Sequence, residues 1–522
     1  MKTASVIIIF LLVILTSKLF AQAPVPLWQQ IDGTYGLFHS VIPTSDGGML
    51  AVGWTLGPQH SADSLDQEGY HYSSNGYWEE GWIVKRSSTS AHEWGRCYGG
   101  TNGSSELLTA CQASDGGYVV GGWSDASNDD VPSNNGYEDM WYFKIDSVGN
   151  LVWKKSFGTL TGYEQVNGIT AISDGNFLVC GRYYTYQDEV MKLNSSGDTL
   201  WTHTYAPANY EGYAQKSIEL PDHGFIIAES LYDYWGLDNP YFTLTRINSS
   251  GEMQWQKTVH LDSSAEQGVC DFVRCSDGGY ALSGIIQGVV GGVVYFPEIF
   301  AMRCDSSGNF QWEKTYGSSG YDFGYGIVED ADQNLIVGGY VETADTSFPQ
   351  HNSQAFLLKL NNSDGSEMWF QVYPTQPFSF NDGLSSFQGL VKTSGGAMVA
   401  AGQYNCGHGY SLDNLCVNSG SVNGYMAMFP ALGSGINELA DENSNIAVYP
   451  DPASDEIQLE IKRPETFPMD IFIGNAEGQI VRSEKLFSAQ QVVNVQSLPP
   501  GIYYLMVTNK NSQVARIPFI KQ

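Results

Sequence analysis

Residues 114–121 read Ser114-Asp115-Gly116-Gly117-Tyr118-Val119-Val120-Gly121, a tight turn that is followed directly by an apolar strand. Aspartate favours such a turn because its side chain bonds the local backbone, and glycine adopts positive φ without steric cost. Seven copies of this turn and strand indicate a repeat protein. The other six copies begin at Ser45, Ser173, Asp222, Ser276, Asp332 and Ser394.

Further strands accompany the copies. One begins at a tryptophan and often ends in Tyr-Gly or Phe-Gly, as in Trp94 to Gly99, and another is an apolar strand that carries a lysine or arginine, as in Trp82 to Lys85. We expect this cation to lie along apolar surface with its charged end in solvent. Successive tryptophans lie 48 to 66 residues apart, which leaves room for three or four short strands per unit. They are Trp28, Trp94, Trp153, Trp201, Trp255, Trp312 and Trp369.

The seven units predict an all-β fold, a seven-bladed β-propeller over residues 22–432. Units that bury their faces against their neighbours and leave only short edges are typical of this radial architecture. The last copy stops after Tyr425 to Phe429 without a tryptophan strand, whereas the chain begins with an unpaired one, Leu27 to Ile31. Pairing the two would close the ring and remove exposed edges. A linear solenoid would have no use for this complementarity.

Composition and charge narrow the range of partners. The 522 residues include 58 glycines and 13% aromatic residues, a mixture that suits many short strands joined by tight turns. The net charge of −31 makes nucleic acid and anionic lipid poor partners. Lys2 and the apolar run from Val6 to Leu15 predict a cleaved signal peptide at residues 1–21, and no other run is long enough to span a membrane.

The eight cysteines are expected to meet an oxidising environment, where disulfides form. We predict the pairs Cys406–Cys416, Cys97–Cys111 and Cys275–Cys304, each of which lies within one repeat unit or loop. No metal site and no cofactor are predicted. The turn that starts at Asp330 comes nearest to a calcium loop, but Leu335 and Val341 replace the glycine and glutamate of that loop, so a hairpin turn is the better interpretation.

The chain changes character after residue 432. Residues 433–445 are predicted to be a linker, and residues 446–522 alternate apolar and polar positions between turns, which predicts a small immunoglobulin-like antiparallel β-sandwich. Four short motifs stand out in this segment. They are Tyr449-Pro450-Asp451-Pro452, the turn at Gly478-Gln479, Leu498 with Gly501 and Tyr503, and a final strand that ends near Lys521.

These motifs resemble the type A C-terminal sorting domain of the type IX secretion system of Bacteroidetes. Asp451 stands where the family usually has asparagine, and both residues favour turns. The resemblance implies export to the periplasm, then passage through an outer-membrane translocon that recognises this domain. It also implies a secreted or cell-surface location. The repeats resemble uncharacterised propeller-like regions of such cargo, which imply no known chemistry.

Long connections between the second and third strands of each unit should emerge on one face, where a ligand would bind. We expect these connections to bind a glycan or a protein without catalysis. Their aromatic side chains could instead only pack the loops together. An extracellular hydrolase or lyase acting on polysaccharide is the alternative, with Glu79, Glu80, Asp188 and Glu189 as candidate acids, and a structural surface-layer role is a third. The candidate binding residues are Tyr70, Tyr72, Trp78, Tyr183, Tyr184, Tyr186, Tyr232, Tyr234 and Trp235.

Overall fold

The structure is a computed structural model, in which the chain divides into two compact units, one spanning residues 23–432 and one containing the residues beyond 432. Regular structure in the described residues is β-strand throughout, and none of them forms a helix that could cross a membrane. The described residues are 24, 26–32, 35–56, 67–71, 78–183, 187–207, 210–233, 241–259, 267–290, 293–317, 320–342, 353–373, 385–405, 422–431, 446–449, 453, 455–461, 469–475, 480–499, 501–509 and 512–521.

The first unit consists of seven four-stranded antiparallel sheets, numbered here as blades in chain order. Blade 7 is completed by the first strand of the chain, β1 (Trp28–Asp32). Blade 1 contains β2 (Gly36–Pro43), β3 (Met49–Thr55), β4 (Glu80–Arg86) and β5 (His92–Tyr98). Blade 2 contains β6 (Ser105–Gln112), β7 (Tyr118–Ser124), β8 (Asp139–Ile145) and β9 (Leu151–Phe157). Blade 3 contains β10 (Gln165–Ala171), β11 (Phe177–Tyr183), β12 (Gln187–Leu193) and β13 (Thr199–His203).

The remaining blades follow the same order of strands. Blade 4 contains β14 (Tyr210–Glu219), β15 (Phe225–Asp233), β16 (Tyr241–Ile247) and β17 (Met253–Val259). Blade 5 contains β18 (Gln267–Arg274), β19 (Tyr280–Val290), β20 (Val293–Cys304) and β21 (Phe310–Tyr316). Blade 6 contains β22 (Asp322–Glu329), β23 (Leu335–Glu342), β24 (Ser353–Leu360) and β25 (Glu367–Tyr373). Blade 7 contains β26 (Ser385–Lys392), β27 (Met398–Asn405), β28 (Val422–Phe429) and β1.

The ring is closed by the N-terminal strand, as the sequence predicts. β1 pairs antiparallel with β28, with Trp28 opposite Met428 and Asp32 opposite Gly424. The first strands of successive blades contact one another around the ring, including β26 with β2. The structure therefore confirms the seven-bladed propeller. Seven apolar clusters fill the seven gaps between neighbouring blades, so each blade buries both of its faces.

The clusters correct two of the predicted disulfides, since the six described cysteines are free thiols. Cys97 belongs to the cluster between blades 7 and 1, whereas Cys111 belongs to the one between blades 2 and 3. Cys275 faces blade 6 and Cys304 faces blade 4, so they lie on opposite faces of one sheet. Proximity in sequence did not reveal this separation, because Cys97 and Cys111 belong to different blades and because side chains alternate between the two faces of a sheet. The predicted pair Cys406–Cys416 lies outside the described residues.

In blades 1, 3 and 5, the repeated tryptophan and the tyrosine four residues after it both contact a turn of the next blade. Tyr98 donates a hydrogen bond to the carbonyl of Gly149 at 2.6 Å, Tyr205 to Gly251 at 2.7 Å and Tyr316 to Gly365 at 2.6 Å. Each of these glycines has a positive φ in the turn between the third and fourth strands of the following blade. The motif is therefore a clamp between blades, whose geometry requires glycine in that turn.

A glycine exchange in blade 3 tests this clamp. A Cβ at Gly197 would lie 2.8 Å from the Trp153 ring, whereas a Cβ at Gly175 meets nothing within 4 Å, and both glycines have φ near +80°. Gly175→Ala should cost only the strain of left-handed backbone, about 1–2 kcal/mol of unfolding free energy. Gly197→Ala must also displace the ring, for a total of about 2–5 kcal/mol. Equal costs in urea unfolding would argue against the clamp.

The repeated lysine or arginine side chain does not extend into solvent, as the sequence suggested, but forms an ion pair within its blade. In six blades it forms an ion pair with an aspartate of the turn between the first and second strands, as in Lys85–Asp46 at 2.8 Å and Lys144–Asp115 at 2.5 Å. The Lys85 side chain is only 1% exposed, so the expectation of a solvated charge was wrong. Blade 7 lacks both partners, since Gly395 and Met428 stand at these positions. The other pairs are Lys192–Asp174, Arg246–Asp222, Arg303–Asp277 and Lys359–Asp330.

The second unit contains two antiparallel sheets that share one apolar core, which includes Ile457, Leu459 and Val493 from one sheet and Ile471 and Leu505 from the other. The strands are β29 (Ile446–Tyr449), β30 (Glu456–Ile461), β31 (Met469–Asn475), β32 (Ile480–Leu486), β33 (Gln490–Asn494), β34 (Gly501–Asn509) and β35 (Ser512–Lys521). Their order is β29-β30-β33 in one sheet and β32-β31-β34-β35 in the other.

Two of the predicted sorting motifs, those of Gly501 and Lys521, meet in the sheet β32-β31-β34-β35. Gly501 pairs with Lys521, and the buried Tyr503 donates a hydrogen bond to the carbonyl of Pro499 at 2.9 Å. Tyr449 ends β29. Pro450, Pro452 and Gly478 lie outside the described residues. The described part of the motif therefore contributes to the packing of the two sheets.

Candidate functional site

The alternation of antiparallel strands gives the propeller two faces. The Asp-Gly turns between first and second strands lie on one face. The connections from second to third strands, and those between blades, leave from the opposite ends of the strands, and we call that side the loop face. The predicted binding residues belong to connections on the loop face or to the strand ends beside them. Tyr72, Tyr184, Tyr186, Tyr234 and Trp235 lie outside the described residues, as does the side chain of Tyr232.

Of the three predicted aromatic residues whose side chains are described, Tyr70 and Tyr183 pack against the protein. The Tyr70 hydroxyl donates a hydrogen bond to the carbonyl of Trp78 at 3.1 Å, and its ring packs against the cluster between blades 7 and 1. Tyr183 stacks on Phe157, with the ring centroids 4.9 Å apart. Tyr70 and Tyr183 therefore help to hold the loops together, which was the alternative role considered for these rings.

A different pair of tyrosines is presented to solvent on the loop face. The rings of Tyr137 and Tyr163 are parallel within 6°, with centroids 5.0 Å apart, and the residues are 56% and 44% exposed. Leu160 is 81% exposed and lies in the same loop as Tyr163. The Arg182 Nε donates to the carbonyl of Tyr163 at 2.7 Å, which fixes the loop. We call Tyr137, Leu160 and Tyr163 the tyrosine platform.

The position of one of the two tyrosines of this platform could be predicted from the sequence. Tyr137 lies in the connection between the second and third strands of blade 2, the class of connection that was predicted to form the binding face. Tyr163 lies in the connection between blades 2 and 3, a class of loop that was not considered. An even number of strands per blade brings both classes to the same face, so counting strands would have placed Tyr163 beside Tyr137.

The first strands form the inner wall of the ring, and each one contains a β-bulge at the same position. A bulge leaves one residue without a partner on the neighbouring strand and increases the local twist. The residues skipped by the pairing include a histidine and a glutamine of adjacent blades, which bond to each other. The seven residues that the strand pairing skips are His39, Leu108, Asn167, Gln215, Cys270, Tyr325 and Gln388.

Two carboxyl groups extend this contact toward the loop face. The His39 Nδ1 lies 2.8 Å from Gln388 Oε1, and its Nε2 lies 3.4 Å from Glu106 Oε2. Glu106 in turn forms a hydrogen bond with Glu79, whose carbonyl accepts from the Ser105 amide at 2.7 Å. We call Gln388, His39, Glu106 and Glu79 the acidic chain.

The two carboxyls of the acidic chain differ in acidity. Burial, followed by the charge of Glu106, raises the pKa of Glu79 to about 7. Burial alone would raise the pKa of Glu106 too, but hydrogen bonds with His39 and Glu79 lower it below its ordinary value. Near neutral pH the pair therefore shares one proton, which is what two carboxyls in contact require.

Two of the other candidate acids, Glu80 and Asp188, accept backbone hydrogen bonds. The buried Glu80 accepts a hydrogen bond from the His71 amide at 2.7 Å. Asp188 accepts from the amides of Tyr205 and Ala206 at 2.7 and 2.8 Å and is paired with the buried Glu229. Burial also raises the pKa of Glu189 to about 7. Glu79 is half-buried, whereas Glu80, Asp188 and Glu189 are buried, so Glu79 is the most accessible of the four candidates.

Comparison with known families and structures gives the following. Residues 447–521 match the family of secretion system C-terminal sorting domains, so the chain carries a type IX secretion signal and is exported to the cell surface or the medium. No curated protein matches the chain.

Similar solved structures include PorZ, an essential bacterial surface component of the type IX secretion system of Porphyromonas gingivalis, at 12% identity and a TM-score of 0.45. The match covers 93% of this chain and 59% of PorZ, so the chain spans about three fifths of that protein. An ulvan lyase is similar at 10% identity and a TM-score of 0.45, over 76% of this chain and 94% of the lyase. An α-L-arabinofuranosidase of Fusarium graminearum is similar at 11% identity and a TM-score of 0.36, over 60% of this chain and 91% of the enzyme. These similarities concern the fold alone.

Proposed function

We propose that this type IX secretion cargo is a non-catalytic glycan-binding protein, whose ligand stacks on the tyrosine platform. The observation that carries the proposal is the solvent-exposed parallel pair of Tyr137 and Tyr163. Aromatic rings combine a large apolar face with a polar hydroxyl, which suits the apolar C–H face of a sugar and its hydroxyl groups. An exposed apolar patch of this kind on a loop face favours a binding role.

The size of the platform favours a glycan over a protein. A stable protein interface buries about 800 Å² per partner and about 20–30 residues a side. The platform contains two rings and one leucine, with Arg182 and Glu138 as nearby charged groups. One or two sugar units would cover it, with hydrogen bonds to these charged groups at the rim.

The first test is loss of binding by ring removal. Tyr137→Ala and Tyr163→Ala should each weaken binding of a glycan identified on an array at least tenfold, because each variant removes half of the stacking surface. Isothermal titration calorimetry measures the change. Tyr321→Ala removes an exposed tyrosine from blade 6 and should leave the affinity unchanged. Wild-type affinity in both platform variants would contradict the proposal.

A hydrolase or lyase that uses the acidic chain is the second candidate. The separated acidities of Glu79 and Glu106 favour it, because an acid with a raised pKa beside a carboxylate with a lowered pKa is a recurring arrangement in active sites. It ranks second because the two carboxyls bond each other directly, whereas the acids of glycosidases stand about 5–9.5 Å apart. Release of product by wild type, abolished in Glu79→Gln with binding retained, would establish this candidate instead.

A further inference from the structure

Asp139 and Glu164 lie side by side where blades 2 and 3 meet on the loop face. Glu138 and Tyr163 form a parallel bridge, and the Glu164 amide donates to the Glu138 carbonyl at 2.8 Å. Side chains alternate along extended backbone, so the residues after the bridge, Asp139 and Glu164, project to the same side. The charge of Asp139 also raises the pKa of Glu164, after the larger effect of burial.

Each of these carboxylates uses one oxygen to hold a loop. Asp139 Oδ2 accepts from the Asn135 amide at 2.9 Å, and Glu164 Oε1 accepts from the Thr159 hydroxyl at 2.7 Å. The second oxygens, Asp139 Oδ1 and Glu164 Oε2, are buried and have no hydrogen-bond donor among the described residues. The two residues are only 1% and 0% exposed. A buried acceptor without a partner costs free energy, so two such oxygens in one place indicate a missing positive partner.

The loop from residue 158 to residue 162 approaches both carboxylates closely. A Cβ at Gly158 would lie 2.3 Å from Asp139 Oδ1, and a Cβ at Gly162 would lie 1.8 Å from Glu164 Oε1. A Cβ at either position would displace the carboxylate that it meets, so glycine at both positions lets the loop backbone lie directly against the two side chains.

We infer that Asp139 and Glu164 bind a divalent cation of the calcium class, which fixes the loop of the tyrosine platform. The side-chain ligands are hard oxygens, and calcium accepts carboxylates, carbonyls and water in irregular geometry, whereas magnesium demands a near-ideal octahedron. The neighbouring cation, Arg182, is engaged with the Tyr163 carbonyl and the Tyr213 hydroxyl. No three His, Cys, Asp or Glu side chains converge as a metal site in the described ranges, so backbone and water complete the coordination. This predicts weak affinity, on the order of 10⁻⁴–10⁻³ M, as in extracellular calcium modules.

Thermal unfolding of the full chain tests the inference. Calcium chloride at about ten times the dissociation constant should raise the melting temperature relative to EDTA by about 1.5–2 °C. Glu164→Gln and Asp139→Asn should abolish this rise, whereas the matched control Glu68→Gln, which removes an exposed loop-face carboxylate of blade 1, should retain it.

Terbium provides a readout that does not depend on stability. Tyr183 lies near both carboxylates, which raise its pKa after burial does, so its ring should sensitise the emission of bound terbium. Calcium should quench this emission by competition, and Glu164→Gln should remove it even if Asp139→Asn fails to fold. An equal calcium shift in the wild type and both variants would mean charge screening alone. The absence of any shift would mean that a proton or a water satisfies the oxygens, and either result overturns the inference.

Discussion

Deletion of Leu27 to Ile31 is expected to cost the propeller about 5 kcal/mol or more, a large part of the stability of a typical domain. β1 supplies the fourth strand of blade 7 over the five residues from Trp28 to Asp32. The Tyr425 hydroxyl donates a hydrogen bond to Gln29 Oε1 at 2.9 Å, and the Tyr373 hydroxyl donates one to the Pro24 carbonyl at 2.6 Å. Without β1, the backbone groups of β28 become an exposed edge that invites aggregation.

The experiment measures urea unfolding of the deleted chain together with its molecular mass in solution. A synthetic peptide of residues 24–32 should restore a large part of the lost stability by pairing with β28. Gln29→Ala is the matched control, since it removes one hydrogen bond and leaves the strand in place, and should cost only about 0.5–1.5 kcal/mol. An unchanged urea midpoint in the deleted chain would show that closure does not depend on β1.

Removal of residues 440–522 is expected to stop export. The deleted segment includes the whole region that matches the sorting-domain family, so the outer-membrane step loses its recognition element. In a bacterium with a type IX system, the truncated chain should accumulate in the periplasm and fall at least tenfold at the cell surface and in the medium. Fractionation and immunoblotting measure the distribution.

Two controls distinguish loss of the secretion signal from misfolding of the propeller. The propeller is a compact unit that ends at residue 432, so its melting temperature should be unchanged in the truncated protein. Transfer of residues 433–522 to an unrelated periplasmic reporter should export the reporter. Unimpaired export of the truncated chain, or a reporter that stays in the periplasm, would contradict the assignment.

The architecture could be predicted from sequence because each blade repeats the same local elements. The Asp-Gly turn of Asp115 and the tryptophan strand of Trp153 depend on nearby residues, and their number sets the number of blades. The pairing of Lys144 with Asp115 was missed because the two repeats were considered separately, although each recurs in nearly every unit. Blade 7 lacks both the cation and the aspartate, since Met428 and Gly395 stand at these positions. This shared absence could have linked the two repeats.

The candidate site was predictable only in part, because its members come from different blades. Glu79 was suspected, but its partner Glu106 belongs to the next blade, and no local pattern connects them. Asp139 and Glu164 meet through a single parallel bridge between two loops. The pair Cys275–Cys304 was wrong for a related reason, since the face of a sheet to which either cysteine points depends on register.

The closure through β1 also dictates an order of folding during synthesis. Trp28 and Met428 are direct partners that lie 400 positions apart in the chain, so the first strand to leave the ribosome waits for one of the last strands of the ring. Blades 1 to 6 can each form from contiguous segments, but Phe38 and Trp82 of blade 1 stay uncovered until blade 7 arrives. The sorting domain is therefore synthesised only after the last blade of the ring is complete.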